Sequence, residues 1–191
     1  MRELVAVRPL GQLHYSLCML VLQTTRKTAD LLGAPQLQPA PLDLSDSRLG
    51  HWTINRVRLG DRSAMFFMND LTTACFPILE GRKQYTVNDL PPFFAHGVGQ
   101  LIPLLNLPKA YAGELCDDSN EMILAKATNR STLGVLNALA GTLHSFIVSA
   151  GGMNNVNLSE LLVRLNTMPQ KTLNWATAKE AIFDALSQRA A

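Results

Sequence analysis

HWTINRVRLGDRSAMFFMN, residues 51–69, decides the reading of the fold. The runs 51–59 and 63–69 are rich in strand-forming residues, and Gly60-Asp61-Arg62 separates them. Glycine in a short connection between two such runs predicts a β-hairpin with a three-residue loop or a bulge. The physical reason is that glycine reaches the positive φ that a tight reversal needs. Ala64 to Met68 is apolar without interruption, as expected of a strand covered on both faces.

The neighbouring segments extend this frame. MLVLQTT (19–25) reads as a buried strand, and RKTADLLG (26–33) as a short helix closed by Gly33. APQLQPAPLDLSDS (34–47) is a loop by its prolines. ACFPILEG (74–81) is a strand that Pro77 confines to an edge or irregular position. Asn88 or Asp89 is placed to cap a helix with Pro91 and Pro92 in its first turn. Phe94, Val98, Leu101, Leu104 and Leu105 share one face of that helix, and Pro108 stops it. EMILAKA (121–127) reads as a further strand. Leu133, Leu136, Leu139, Leu143 and Ile147 keep helical spacing up to Gly151-Gly152. Asn157 or Ser159 opens another helix through Leu165, and residues 175–186 hold the last. The order β-α-β-β-β-α-β-α-α-α puts strands early and helices late. That predicts an α+β fold, a mainly antiparallel sheet packed by helices.

Bulk properties narrow the class. A length of 191 residues fits one domain, expected to run from 19 to 191. Residues 1–18 show no sustained period and are expected to form a poorly packed leader. Hydrophobic residues at 47% and charged residues at 17% exclude a disordered chain. A net charge of +2 neither demands nor excludes nucleic acid. Cys18, Cys75 and Cys116 form no C-x-x-C pair and are odd in number, which favours a reducing, cytoplasmic setting over a disulfide framework. His14, His51, His96 and His144 stand at no metal-ligand spacing, so neither a metal nor a cofactor is expected. No uninterrupted apolar run reaches the ~18–20 residues of a membrane span.

Nucleophile-elbow and phosphate-loop glycine patterns are both absent, and no catalytic set is found. Two polar groups stand out instead. KATNRSTLGVLNAL (126–139) passes from a strand into a helix. A helix start has unpaired N–H groups and a partial positive charge. Asn129 or Ser131 supplies a cap, Arg130 a fork suited to phosphate or carboxylate, and Asn137 lies on the same side. The plainer reading is a cap, with Arg130 paired to Asp117 or Asp118. Gly134 costs ~1 kcal/mol against alanine inside a helix, so close approach of another backbone is expected there. The second group is Trp52, Asn55, Arg56, Arg58, Arg62, Asn69 and Asp70 on and after the hairpin. Aromatics beside arginines stack bases and hold phosphates. The plainer reading puts Trp52 in the core, the arginines on a wet face and Asn69-Asp70 in a turn. Asp117, Asp118 and Glu121 are grouped, as solvated loop carboxylates commonly are.

Taken together, Met19 to Lys27, Trp52, Asn55, Arg62, Asn69-Asp70, Thr72, the Thr128 to Asn137 element, Gly151-Gly152, Leu165-Asn166 and Pro169 resemble a bacterial single-domain family of unknown function. The resemblance spans residues 19–187. The chain departs from that pattern at the hairpin, where a denser basic cluster is replaced by Arg62 between Asp61 and Ser63. The resemblance implies no activity; it implies cytoplasmic proteins often found beside plasmid or other mobile-element genes. A shorter stretch, RLNTMPQKTLNWATAKEAI (164–182), is similar to the tail of insertion-sequence transposases, but the spaced carboxylates of such an enzyme have no counterpart here.

The expected function is a site for an anionic ligand: a nucleotide, a nucleic-acid backbone or an acidic peptide. Arg130 and Arg62 supply charge, Asn55 and Asn137 orientation and Trp52 a stacking face, with Asn69, Asp70, Asn129 and Ser131 around them. The alternative is a protein–protein interaction module in which these residues serve turns and caps. An enzyme using Asp70 or the Asp117/Asp118 pair ranks below both, as does a transposase-tail-like fragment. A single site requires the two groups to converge in one concavity.

Overall fold

The structure is a computed structural model and describes residues 20–34, 36–40, 49–117 and 122–187. Residues 1–18, and Asp118 and Glu121 of the acidic group, lie outside the described residues. The first strand, β1 (Leu20–Thr24), leads directly into α1 (Arg26–Leu31), whose N-cap is Thr25 and which ends before Gly33 at φ +78°. Then come β2 (Trp52–Leu59), β3 (Arg62–Asn69), β4 (Cys75–Leu79), α2 (Leu90–Leu104), α3 (Ala110–Asp117), β5 (Met122–Lys126), α4 (Arg130–Ser149), α5 (Leu158–Asn166) and α6 (Ala178–Ser187).

The hairpin forms with a tighter turn than expected. Leu59 pairs with Arg62, so only Gly60 and Asp61 connect the strands. Gly60 has φ +62° while Asp61 is not among the positive-φ residues, the pattern of a type II′ turn. Glycine is required there for space as well, since a Cβ at Gly60 would meet Ile147 Cγ2 of α4 at 2.8 Å.

The five strands lie in the order β4-β3-β2-β1-β5. β2, β3 and β4 are antiparallel neighbours, but β1 runs parallel to both β2 and β5. The fold is α+β as expected, and the sheet is mixed rather than mainly antiparallel. The cause lies in the connections. A two-residue turn reverses the chain, whereas the long connection carrying α1 between β1 and β2 brings the chain back to the end where it started. β5 joins beside β1 in the same sense after α2 and α3.

Side-chain alternation then makes two cores. One face carries Leu20, Leu22, Trp52, Ile54, Met65, Phe67 and Phe76, packed with Phe94, Val98 and Leu101 of α2 and Ile182 and Leu186 of α6. Trp52 meets Phe94 edge-on at 4.9 Å, and Phe67 stacks on Phe76 at 4.9 Å. The other face carries Leu59, Ala64, Phe66, Met68 and Cys75, covered by Leu136, Leu139, Leu143 and Ile147 of α4 and Leu162 and Leu165 of α5.

Helix boundaries differ from the sequence reading in three places. Before α2 a 3-10 turn spans Val87–Asp89, and Thr86 and Asp89 bond reciprocally there, so neither Asn88 nor Asp89 caps α2 with its own side chain. α2 ends at Leu104, four residues short of Pro108, and α3 is an additional helix. α6 begins at Ala178, because Trp175 sits at φ +69° and the Thr177–Glu180 pair starts the helix.

α4 alone among the described helices is long and apolar enough to cross a membrane. Its apolar face is already occupied by the sheet, and its His144 Nδ1 accepts the Gly60 N–H at 3.1 Å, so it serves as a core helix. Gly134 in this helix is exposed, and a Cβ built there meets nothing within 4 Å. The expected close approach of a second backbone is absent. Gly134→Ala should therefore raise stability by ~0.5–1 kcal/mol, through helix propensity and a less flexible unfolded chain. A thermal melt showing a lower Tm would contradict this.

Candidate ligand site

The topology gathers polar groups at the carboxyl ends of β1 and β5. These strands are adjacent and parallel, with Thr24 opposite Lys126, and each is followed closely by a helix. In sheets with parallel strands, ligands collect outside the carboxyl ends, where helices start and depart. Asn55 of β2 sits at the junction. Its Oδ1 accepts from Thr28 Oγ1 at 2.6 Å and lies 3.2 Å from Thr25 Oγ1. Its Nδ2 donates to Asn137 Oδ1 of α4 at 3.4 Å. One side chain thus links β2, the start of α1 and the third turn of α4. Thr28 Oγ1 in turn accepts the Arg56 N–H at 3.2 Å, which fixes the amide cluster to the sheet backbone.

Arg130, Gly134 and Asn137 stand at i, i+4 and i+7 and so share one stripe of α4. Arg130 precedes Asn137 by about 10 Å along the helix axis at ~1.5 Å per residue. It is exposed and forms no hydrogen bond or ion pair among the described residues. Arg26, Lys27 and Lys126 are also exposed at the same strand ends, and none of them is ion-paired among the described residues. Asp30 of α1 is the nearby acid in sequence. The result is a rim of cations around an amide-hydroxyl cluster.

The α4 start itself is largely satisfied. Asn129 Oδ1 accepts from Ser131 N at 2.9 Å and Thr132 N at 3.3 Å. The cap reading of Asn129 therefore holds, and Ser131 contributes through its backbone. An incoming anion would meet side chains rather than the free N–H groups the sequence suggested.

Three expected site residues do not join this cluster. Trp52 is 1% exposed and points to the opposite face, into the aromatic core, so it has no ring surface for stacking a ligand. Asn69 is fully buried and spends its amide on the turn: Nδ2 donates to Leu49 O and His51 O, while Oδ1 accepts from Leu71 N, Thr72 N and Thr72 Oγ1. Arg62 lies at the hairpin turn, bonded to Glu80 O at 3.3 Å. Its partner Leu59 is four residues from Asn55 along β2, about 13 Å at ~3.3 Å per residue. Arg56 is committed elsewhere, in a bidentate pair with Glu80 at 2.7 Å on each arm.

Asp70 adjoins the cluster through Thr53, two residues from Asn55 on the same face. Thr53 Oγ1 donates to Asp70 Oδ1 at 2.6 Å. Burial pushes the Asp70 carboxyl up to about 6, against the opposing pull of the Thr53 bond. Beside it, Gln23 Nε2 donates to His51 Nδ1 at 2.8 Å, which leaves the proton of a neutral ring on Nε2, and that atom is buried without a partner. Burial lowers the His51 pKa.

The Asp70 shift has a defined sign. The native state holds this proton to higher pH than the unfolded chain, whose aspartates titrate near ~3.9. The stability it contributes is present below pH ~4 and is lost as pH rises through about 6, on the order of 2–3 kcal/mol in all. Urea unfolding of the wild type and Asp70→Asn between pH 4 and 7 checks this. The variant should gain on the wild type as pH rises, and a constant gap would refute the burial argument.

Thr25, Thr28, Arg26, Lys27 and Lys126 were missed as site residues by the sequence reading. Only the parallel pairing of β1 with β5 brings them together, and no local pattern announces that pairing.

The fold and the junction define a class: an α+β fold on a five-stranded mixed sheet, with a polar, cation-rimmed junction at the ends of its parallel strands. The chain belongs to the family described as Domain of unknown function (DUF6933), whose model matches residues 21–181. Neither a curated protein nor a solved structure matches the chain.

Proposed function

We propose that this protein is a cytoplasmic binding protein for an anionic, phosphate-bearing ligand held at the carboxyl ends of β1 and β5. Arg130, Arg26, Lys27 and Lys126 supply charge. Asn137 and Asn55 orient the ligand, and Thr25 and Thr28 hold Asn55 in place. The observation that carries this reading is the Asn55–Asn137 bond, which ties the hairpin to the stripe bearing Arg130. Guanidinium and amide donors along one stripe of a helix suit an extended phosphate-bearing ligand.

The test is thermal shift against a nucleoside triphosphate and a single-stranded oligonucleotide. A ligand near a hundredfold above its Kd stabilises by ~2.7 kcal/mol, which for a domain of this size raises Tm by roughly 5–10 °C. Arg130→Ala should abolish most of that rise. An equal rise in the variant, or none in the wild type with either ligand, sinks the proposal. A larger, salt-sensitive response to the oligonucleotide would favour a nucleic-acid backbone and would fit the mobile-element setting that the resemblance suggests.

A second reading, a protein interaction module without a small-molecule site, draws on one specific observation. Asn129 already occupies the N–H groups of Ser131 and Thr132 that an anion would otherwise use.

A further inference from the structure

We propose that the open groove between the α2–α3 turn and residues 174–184 captures an arginine side chain presented by an extended segment of a partner protein. The groove has a volume of about 980 Å³ and shares no residue with the cation-rimmed junction, so the two proposals fail independently.

The first argument is conformational. Asn174 and Trp175 are consecutive non-glycine residues in the left-handed region, at φ +53° and +69°. Asparagine tolerates this region, but a tryptophan there is a genuine outlier, and such backbone strain concentrates at functional sites. The loop is locked in this shape: Trp175 N donates to Gln170 O at 2.9 Å, Ala176 N to Leu173 O at 3.0 Å and Gln170 N to Ala176 O at 2.9 Å. The strained backbone holds the Trp175 ring out at 69% exposure, beside Phe183 at 48%. The hydrogen bonds hold the backbone, but packing among the described residues leaves both rings open to solvent. A partner seated on them would cover that apolar surface.

The second argument is charge. Glu180 and Asp184 stand at i and i+4 on α6 and line the groove beside the two rings, with Lys179 as the cation in the lining. The formal sum over these three is −1. Glu180 Oε2 is engaged by Thr177 N at 2.8 Å and Thr177 Oγ1 at 2.9 Å, while Oε1 has no partner among the described residues, nor has the Asp184 carboxylate. An exposed indole in a groove that two carboxylates also line matches a guanidinium, which stacks flat on an aromatic ring and forks to carboxylate oxygens. An ammonium is a compact, strongly hydrated charge and gains less from the ring. The groove is open, whereas small-molecule sites enclose most of their ligand. A side chain on an extended segment suits it better, and tryptophan–arginine contacts are frequent binding hot spots.

The test uses the full chain and N-acetyl-Ala-Arg-Ala-amide, with Lys and Leu counterparts at the central position. The protein has two tryptophans, and Trp52 is buried in the core, so a change in emission on titration reports Trp175. One anchored side chain gives a Kd in roughly the millimolar range. The Arg peptide should give a saturable change and bind more tightly than either counterpart. The double variant Glu180→Gln/Asp184→Asn should weaken it about tenfold; glutamine retains an acceptor for the Thr177 cap. Lys179→Ala should tighten binding, an effect that misfolding cannot imitate. No saturable change with the Arg peptide, equal binding of the Leu peptide, undiminished binding to the double variant, or weaker binding to Lys179→Ala would each overturn the proposal.

Discussion

Asn166→Ala is expected to lower stability by about 3–5 kcal/mol, enough to threaten folding of a domain with an ordinary margin of ~5–15 kcal/mol. Asn166 is fully buried near the end of α5 and acts as a substitute strand for the free edge of β4. Its Oδ1 accepts the Cys75 N–H at 2.9 Å, and its Nδ2 donates to Cys75 O and to Leu162 O, both at 2.9 Å. Alanine leaves the Cys75 N–H and carbonyl buried and unpaired, each costing ~1–3 kcal/mol, and opens a small void besides. The same geometry explains Pro77. Cys75 points its backbone groups outward to Asn166, so by alternation Pro77 also faces outward, where a missing N–H deprives no neighbouring strand. Denaturant unfolding measures the loss. A drop under ~1 kcal/mol would show that water replaces the amide and that the edge is not sealed by it. Asn166→Asp should also be strongly destabilising, because it keeps the acceptor for Cys75 N–H but puts an acceptor where two donors were and buries a charge.

Much of the fold was legible because the signals are local. The hairpin announced itself through Gly60 between strand-like runs, the edge position of β4 through Pro77, and α4 through its leucine spacing and Asn129 cap. The direction of β1 was not legible. LVLQT reads the same whether its neighbours run with it or against it, and only the chain path through α1 and the loops sets it parallel. α3 was missed because eight residues after Pro108 are too few to establish a period. For the candidate site, Asn55, Asn129, Arg130 and Asn137 could be picked out as polar residues in strand and helix starts. Trp52 could not be placed from sequence, because alternation assigns it a face but does not say which helices cover that face, and both faces are covered. It lies with Leu20, Leu22 and Phe94, while Asn55, on the other parity, faces α4. The same one-residue distinction separates a stacking platform from a core ring.

Gly97→Ala is expected to cost about 3 kcal/mol or more, although alanine at a helix interior normally gains up to ~1 kcal/mol over glycine. Gly97 is buried in α2, and a Cβ built on it would lie 2.0 Å from Phe76 Cε2, 2.3 Å from Cδ2 and 2.6 Å from Cζ. One of the two elements must move. Phe76 cannot retreat easily, because its ring stacks on Phe67 at 4.9 Å and leans on Trp52 at 5.8 Å, and all three rings are almost fully buried. α2 cannot lift without uncovering Phe94, Val98 and Leu101. Close-packed interiors transmit such a clash rather than absorb it. The control is two residues away on the same helix: Gly99→Ala meets nothing within 4 Å and should be neutral or stabilising by up to ~1 kcal/mol. The denaturant midpoint should therefore fall for Gly97→Ala and hold or rise for Gly99→Ala. A double variant, Gly97→Ala with Phe76→Leu, should recover part of the loss, since contacting residues couple by ~0.5–3 kcal/mol. Equal midpoints for Gly97→Ala and Gly99→Ala would mean that α2 does not seat against Phe76 as described, and the packing of that whole face of the sheet would need revision.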